Sequence, residues 1–329
     1  MSLAELFSGA TTLSRGTTIH KSIIFAQNFS TMNTKAWVQA FRLRTLPLAL
    51  SSIAMAGFLA ATANAFRWDI FVLCVTTTIF LQILSNLAND YGDSIHGADS
   101  VDRKGPKRAV QSGAISSQQM KLAVIVFVFL CLVSGISLLW ISFGLNWNAI
   151  LFFFGLGILC ILAAIAYTVG KKPYGYIGLG DLSVLIFFGL VGVLGSQYLF
   201  TQQFIGVDIL PALSCGFFSI GVLNLNNIRD IESDLKAGKY SIPVRIGREK
   251  AIVYHWFLLL GGLFCALVYS LLTYHSPWQF LFLLTAPLFI RNGLVVSSKP
   301  SHELDPYLKQ MALSTLEFVL LFGIGLLLA

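Results

Sequence analysis

MKLAVIVFVFLCLVSGISLLWI, residues 120–141, is twenty-two residues long and carries one charged side chain, Lys121. At 1.5 Å of rise per residue, a helix of that length crosses the roughly 30 Å of a bilayer's hydrocarbon. Comparable apolar runs recur at 45–63, 69–88, 148–168, 181–199, 209–228, 253–273, 277–295 and 311–328. The breaks, or the first residues beyond them, carry Gly170, Pro173, Gly206, Pro277 and Pro300, which punctuate helices. A β-barrel needs alternating segments of about ten residues, and none are present. The predicted fold is an all-α integral membrane bundle of nine transmembrane helices. The thinnest boundary is the one just before Pro277.

Composition agrees. Of 329 residues, 56% are hydrophobic and 11% charged, against roughly 25% charged in an ordinary soluble chain. Lipid must therefore cover surface that water cannot. The net charge of +7 raises the question of nucleic acid, but its distribution answers it. Lys and Arg gather in the lead-in to span one and in segments 89–119, 169–180, 229–252 and 296–310. Arg67 is the only basic residue of the opposite loops, 64–68, 142–147, 200–208 and 274–276. The positive-inside rule then places the N-terminus and the long polar loops in the cytoplasm and the C-terminus outside. The five cysteines stand singly in apolar stretches and read as small buried hydrophobes. Residues 1–31 lack a continuous apolar core and are expected to be a flexible extension or an upstream start. Residues 32–329 form the transmembrane domain.

Spans two and six, four apart, both run into long polar loops with Asn and Asp first and basic residues after. That pattern suggests two four-helix repeats plus one helix. In LSNLANDYGDSIHGADSVDRKGPKRAVQSG, Asn89 and Asp93 stand four apart, as do Asn86 and Asp90, with Asp99 and Asp102 beyond. In LNLNNIRDIESDLKAG, Asp230 and Asp234 repeat the spacing. Residues four apart share a helix face. Carboxylates this close repel one another, most of all beside a low-dielectric bundle. Mg²⁺ relieves that cost, and it favours one or two carboxylates together with substrate phosphates. Two acidic helix ends at one depth could grip a metal–diphosphate, with Arg108, Lys171 and Lys239 among the cations matching its remaining charge. A diphosphate at the interface with a hydrocarbon tail in the bilayer describes a polyprenyl diphosphate. Its departure leaves carbocation character on the prenyl C1, which an electron-rich aromatic ring can attack. Asp181 opens span five, either as a helix cap or on the side of the aromatic acceptor.

The two blocks NDYGDSIHGADSVDRKGPKRAVQSG and NNIRDIESDLKAGKYSIPVRIG resemble those of the intramembrane aromatic prenyltransferases, and most closely the branch acting on 1,4-dihydroxy-2-naphthoate. The resemblance runs from about Met32 to the C-terminus. It implies a nine-helix bundle in a bacterial inner membrane, an Asp-rich motif in each of two cytosolic loops, and Mg²⁺ as cofactor. It implies a metal set drawn from Asn89, Asp90, Asp93, Asp99, Asp230 and Asp234. The broader pattern NDxxDxxxD has its last acid replaced here by Gly97, with Asp99 two positions on. The implied reaction joins an all-trans polyprenyl group, commonly octaprenyl, to 1,4-dihydroxy-2-naphthoate, with loss of diphosphate and CO₂. Acceptors such as 4-hydroxybenzoate, homogentisate or a haem precursor remain alternatives, as does a transporter for an anionic or lipid substrate. A transporter should carry acids and bases deep in several spans; here they crowd at one end.

Overall fold

A computed structural model of the chain describes residues 33–96 and 108–329. The extension expected at 1–31 lies outside the described residues, as do Asp99 and Asp102. Among the described residues, nine helices are long and apolar enough to cross a bilayer: α1 (Thr34–Thr62), α2 (Trp68–Ile95), α3 (Ser117–Phe143), α4 (Trp147–Ala166), α5 (Gly180–Thr201), α6 (Gly206–Arg229), α7 (Ile242–Leu272), α8 (Pro277–Ser298) and α9 (Asp305–Leu327). The boundary before Pro277 is real. Helix α7 stops at Leu272, and Ser276 with Gln279 forms a capping box that starts the next helix.

Several helices begin before the apolar runs that announce them. Helix α1 starts at Thr34, capped by the Asn33 side chain, and bends at Arg42, whose φ of 49° is left-handed. Helix α7 starts at Ile242 with Pro243 in its first turn and breaks at Gly247, where φ is 79°. The charged stretch before residue 253 reads as loop because hydropathy registers only the part of a helix that lipid covers.

Burial sorts the bundle. In their most apolar windows α1, α6 and α9 are each 56% buried, whereas α4 is only 6% buried and therefore faces lipid on most sides. The centre is aromatic: Phe218 of α6 stacks on Phe289 of α8 at 4.1 Å and meets Phe318 of α9 edge-on at 4.9 Å. All three are fully buried. Ring pairs at these distances contribute dispersion and quadrupole attraction beyond their shape. In lipid, where the hydrophobic effect between helices is weak, such packing holds the bundle together. This hub fixes α6, and through it one of the two acidic helix ends.

Truncating the hub should cost accordingly. Phe318→Ala is expected to destabilise the bundle by about 3–5 kcal/mol, read as a lowered midpoint for thermal unfolding in detergent. A midpoint equal to that of the starting protein would show that Phe318 is not central.

Candidate active site

Helices α2 and α6 end on the same face of the bundle, close together. On α2, Asn86 donates to the Phe41 carbonyl at 3.0 Å and to Thr45 Oγ1 at 3.1 Å, tying the helix to the bend of α1. One turn on, Asn89 Oδ1 accepts from Thr168 Oγ1 at 3.2 Å. A Cβ at Gly92 would lie 2.6 Å from the Thr168 carbonyl, so only glycine lets the chain after α4 approach α2 this closely. Asp93 is 4% exposed. It accepts from Tyr176 Oη at 2.6 Å and pairs with Arg108, which also donates to the Asn89 carbonyl at 2.7 Å. Asp90, 1% exposed, accepts from the Ala109 amide through Oδ2, while its Oδ1 has no partner.

The end of α6 is built differently. Asp230 is the C-cap, just past the last helical residue, and a short helix, Ile231–Lys236, follows. The Asp234 amide donates to the Asp230 carbonyl at 2.8 Å, so the turn continues and both carboxylates stay on one side. Arg229, with a side chain 1% exposed, grips Asp230 with two nitrogens at 2.8 and 2.6 Å and reaches Asp305 at 2.5 Å. Asp234 pairs with Lys239 at 3.0 Å. Burial raises the Asp234 carboxyl above the ordinary range; Lys239 opposes this, and Asp230 and Asp93 add to it. Burial pulls on Lys239 in the opposite sense, but Asp234, Tyr167 and Asp93 together hold its ammonium above the usual lysine value. Lys239 is therefore a standing cation.

The loop from 167 to 179 joins the two ends. The Tyr240 amide donates to the Tyr176 carbonyl at 2.8 Å, and Arg245 donates to the Ile177 carbonyl at 2.9 Å. Tyr176 thus touches the first acidic motif through its phenol and the loop of the second through its backbone. Burial and the neighbouring Asp93 raise that phenol's pKa. Burial lifts the Tyr167 phenol to about 12, opposed by Lys239 and reinforced by Asp234, Asp93 and Asp181. Both tyrosines stay neutral and can donate. Asp181 is 6% exposed and accepts from Tyr254 Oη at 3.0 Å. It sits within the first turn of α5 and does not cap the helix. Lys171 is exposed and makes no hydrogen bond or ion pair among the described residues.

Beneath these polar ends lies a cavity of about 350 Å³. Asn86, Asn89 and Tyr167 line it at the polar end; Leu81, Leu138, Phe187 and Val191 line it deeper in. The available donors are carboxylate and amide oxygens, which suit a hard cation. The unpartnered Oδ1 of Asp90 and of Asn227 are buried oxygens of that kind. Among the described residues, no three Asp, Glu, His or Cys side chains converge into a preformed cage. Mg²⁺ does not require one, because it retains waters and shares its coordination with phosphate.

The UbiA prenyltransferase family profile matches residues 50–316. The chain belongs to this family. It is 47% identical over 297 residues to the 1,4-dihydroxy-2-naphthoate octaprenyltransferase of Haemophilus influenzae, covering 89% of this chain and 96% of that one. To the Escherichia coli protein of the same name it is 44% identical, covering 90% and 96%. Solved structures share the fold. A UbiA homolog from Aeropyrum pernix superposes with a TM-score of 0.62 at 18% identity, covering 85% of this chain and 97% of that one. One from Archaeoglobus fulgidus, bound to GPP and Mg²⁺, has a TM-score of 0.60 at 17% identity, covering 89% and 100%.

Sequence reasoning missed Thr168, Tyr176, Tyr254 and Asp305, and it counted Arg229 only as a topological charge. Arg229 had a signal, since it stands next to Asp230. Asp305 had none, being 76 residues from the arginine it meets.

Removing one member of the buried Arg229–Asp230 pair leaves the other charge uncompensated, which costs about 3–5 kcal/mol. Arg229→Met should therefore lower the unfolding midpoint sharply. The double variant Arg229→Met/Asp230→Asn should regain most of that loss, as a double-mutant cycle would record. Equal destabilisation in both would rule out the pairing as the cause.

Proposed function

We propose that this chain transfers an all-trans polyprenyl group from polyprenyl diphosphate to 1,4-dihydroxy-2-naphthoate, in a bacterial inner membrane with its acidic helix ends facing the cytoplasm. One observation carries the reading: two carboxylate-bearing helix ends meet directly above an apolar cavity. A ligand that fits has an anionic head and a hydrocarbon tail. The two relatives that are 47% and 44% identical bear the name of this activity, which supports the choice of acceptor.

Asn89, Asp90, Asp93, Asp230 and Asp234 would hold Mg²⁺; Asp99 lies outside the described residues. The bound ion supplies positive charge against which the diphosphate departs. Arg108 and Lys239, already beside these carboxylates, are placed to meet diphosphate oxygens. Lys171 joins them only by turning inward from the surface. The donor's C1–O bond breaks, and its electron pair leaves on the diphosphate. The ring carbon bearing the carboxylate supplies the pair for the new C–C bond. The carboxylate leaves as CO₂, and the pair from its broken bond restores the aromatic ring. Tyr167 lies at the junction of charged mouth and apolar cavity, where its ring face can stabilise cationic carbon. Asp181, held by the Tyr254 phenol, would serve on the acceptor side.

Mass spectrometry of the product made by purified protein tests this. With octaprenyl diphosphate and Mg²⁺, the naphthoate acceptor should yield a prenylated product lacking the carboxyl carbon, and 4-hydroxybenzoate should yield none. Chelation of the metal should abolish turnover. Asp93→Asn and Asp234→Asn should remain folded yet release diphosphate at least about a hundredfold more slowly, the scale of losing one transition-state contact. Near-normal release at saturating Mg²⁺ would remove those two residues from the site.

A further inference from the structure

Tyr176 is a neutral residue set among the charges of the acidic helix ends, and its backbone is fixed from several directions. It lies buried in the short 3₁₀ turn Tyr174–Ile177, with its amide donating to the Pro173 carbonyl at 3.0 Å. The Gly175 amide beside it donates to the Tyr167 carbonyl at 3.0 Å. A Cβ on Gly175 would lie 2.7 Å from that same oxygen, so glycine is what lets the turn press against Tyr167. From the other side, the Tyr240 amide reaches the Tyr176 carbonyl at 2.8 Å. The adjacent Lys239 amide donates to the Asp234 carbonyl at 2.9 Å. A continuous hydrogen-bonded path thus runs from Asp93, through Tyr176, to Asp234.

The phenol acts on Asp93. Oδ2 of that carboxylate pairs with Arg108, and Oδ1 accepts from Tyr176 Oη at 2.6 Å. A carboxylate held at one oxygen can swing about its Cβ–Cγ bond; held at both, it keeps one orientation. The two donors differ in kind. Arg108 brings a full positive charge against the carboxylate and is placed to turn toward diphosphate oxygens. The phenol stays neutral, because burial and Asp93 keep its proton on. It therefore orients the carboxylate and leaves its charge for a cation. An O–H···O⁻ bond this short is of the strong, charge-assisted kind. Carboxylates that bind metal are held by outer hydrogen bonds of this sort, and losing one costs about 10–100-fold in metal affinity.

We propose that Tyr176 is a positioning residue for Mg²⁺ capture. Its phenol aims Asp93 at the cation site shared with Asp230 and Asp234, and it keeps that aim when Arg108 turns to the diphosphate. The inference rests on the polyprenyl-transfer reading above, which takes Asp93 as a metal-binding residue.

The test titrates purified protein, without donor or acceptor, with Mn²⁺ as a paramagnetic probe of the Mg²⁺ site, and separately follows turnover against Mg²⁺ concentration. Tyr176→Phe keeps the ring and removes one oxygen. It should weaken Mn²⁺ binding about tenfold or more and raise the half-saturating Mg²⁺ concentration by a similar factor. Its kcat at saturating Mg²⁺ should approach that of the unsubstituted protein; a merely structural role would lower kcat and leave the metal dependence in place. Tyr240→Phe removes a phenol that is 48% exposed and keeps the backbone link to Tyr176, so it should bind Mn²⁺ as the unsubstituted protein does. Should Tyr176→Phe fail to fold by size exclusion, Gly175→Ala, which displaces the turn and keeps the phenol, should weaken Mn²⁺ binding in the same direction. Unchanged Mn²⁺ affinity in the folded variant, an equal loss in Tyr240→Phe, or no Mn²⁺ bound by the unsubstituted protein overturns the proposal. If the unsubstituted protein makes no prenylated naphthoate from octaprenyl diphosphate and Mg²⁺, the transfer reading itself fails, a result distinct from an unshifted metal affinity.

Discussion

A carboxylate at the edge of a low-dielectric bundle must find a cation nearby, and the polar end of this protein is organised around that need. Two unit charges 4 Å apart interact by about 4 kcal/mol at the effective dielectric near a protein surface. Three of the acids meet a cation locally: Asp93 has Arg108, Asp230 has Arg229 and Asp234 has Lys239. Arg229 also reaches across to Asp305 at the start of α9, so one guanidinium ties α6 to the last helix. Buried ion pairs contribute little net stability, because desolvation offsets most of the attraction. Well-packed apolar residues would hold these helix ends together at least as well. A cluster of costly charges that packing does not require points to chemistry at that place.

The two halves of the bundle serve that cluster differently. Helices α6, α8 and α9 share the aromatic hub, with Met55 and Leu59 of α1 packed in the same cluster, so Asp230 is carried by one of the most deeply packed elements. Helices α3 and α4 are sparsely buried and border the apolar cavity instead. A rigid frame under the charged end keeps the geometry that a reaction needs. Loop 167–179 connects the two regimes, since Tyr167 lines the cavity while Tyr176 holds Asp93.

Much of this was legible in the sequence because membrane and metal both impose one-dimensional patterns. Hydropathy located all nine spans, and i,i+4 spacing placed Asn89 with Asp93 on one face, since α2 stays helical through its polar end. The starts of α1, α7 and α9 were read late, because Thr34, Ile242 and Asp305 lie in amphipathic turns that lipid does not cover. The spacing of Asp230 and Asp234 predicts a shared face; the structure breaks the helix at Asp230 and keeps that spacing through a single turn. Tyr176, Thr168 and Asp305 were invisible for a common reason. Their partners are distant in sequence, and nothing in a lone Tyr, Thr or Asp records which helix end it will meet.

The position of Asp181 shows how burial and hydrogen bonding divide the labour among identical side chains. Asp93 on α2, and Asp230 and Asp234 after α6, each pair with a cation. Asp181 has no cation within ion-pairing distance among the described residues; it has the Tyr254 phenol at 3.0 Å. It lies on α5, within electrostatic reach of Tyr167. Held by a neutral hydroxyl rather than by a cation, the Asp181 carboxyl keeps acceptor capacity for a further hydrogen bond. The cation-paired carboxylates and Asp181 thus stand on different elements, with Tyr167 within electrostatic reach of Asp93, Asp234 and Asp181 alike.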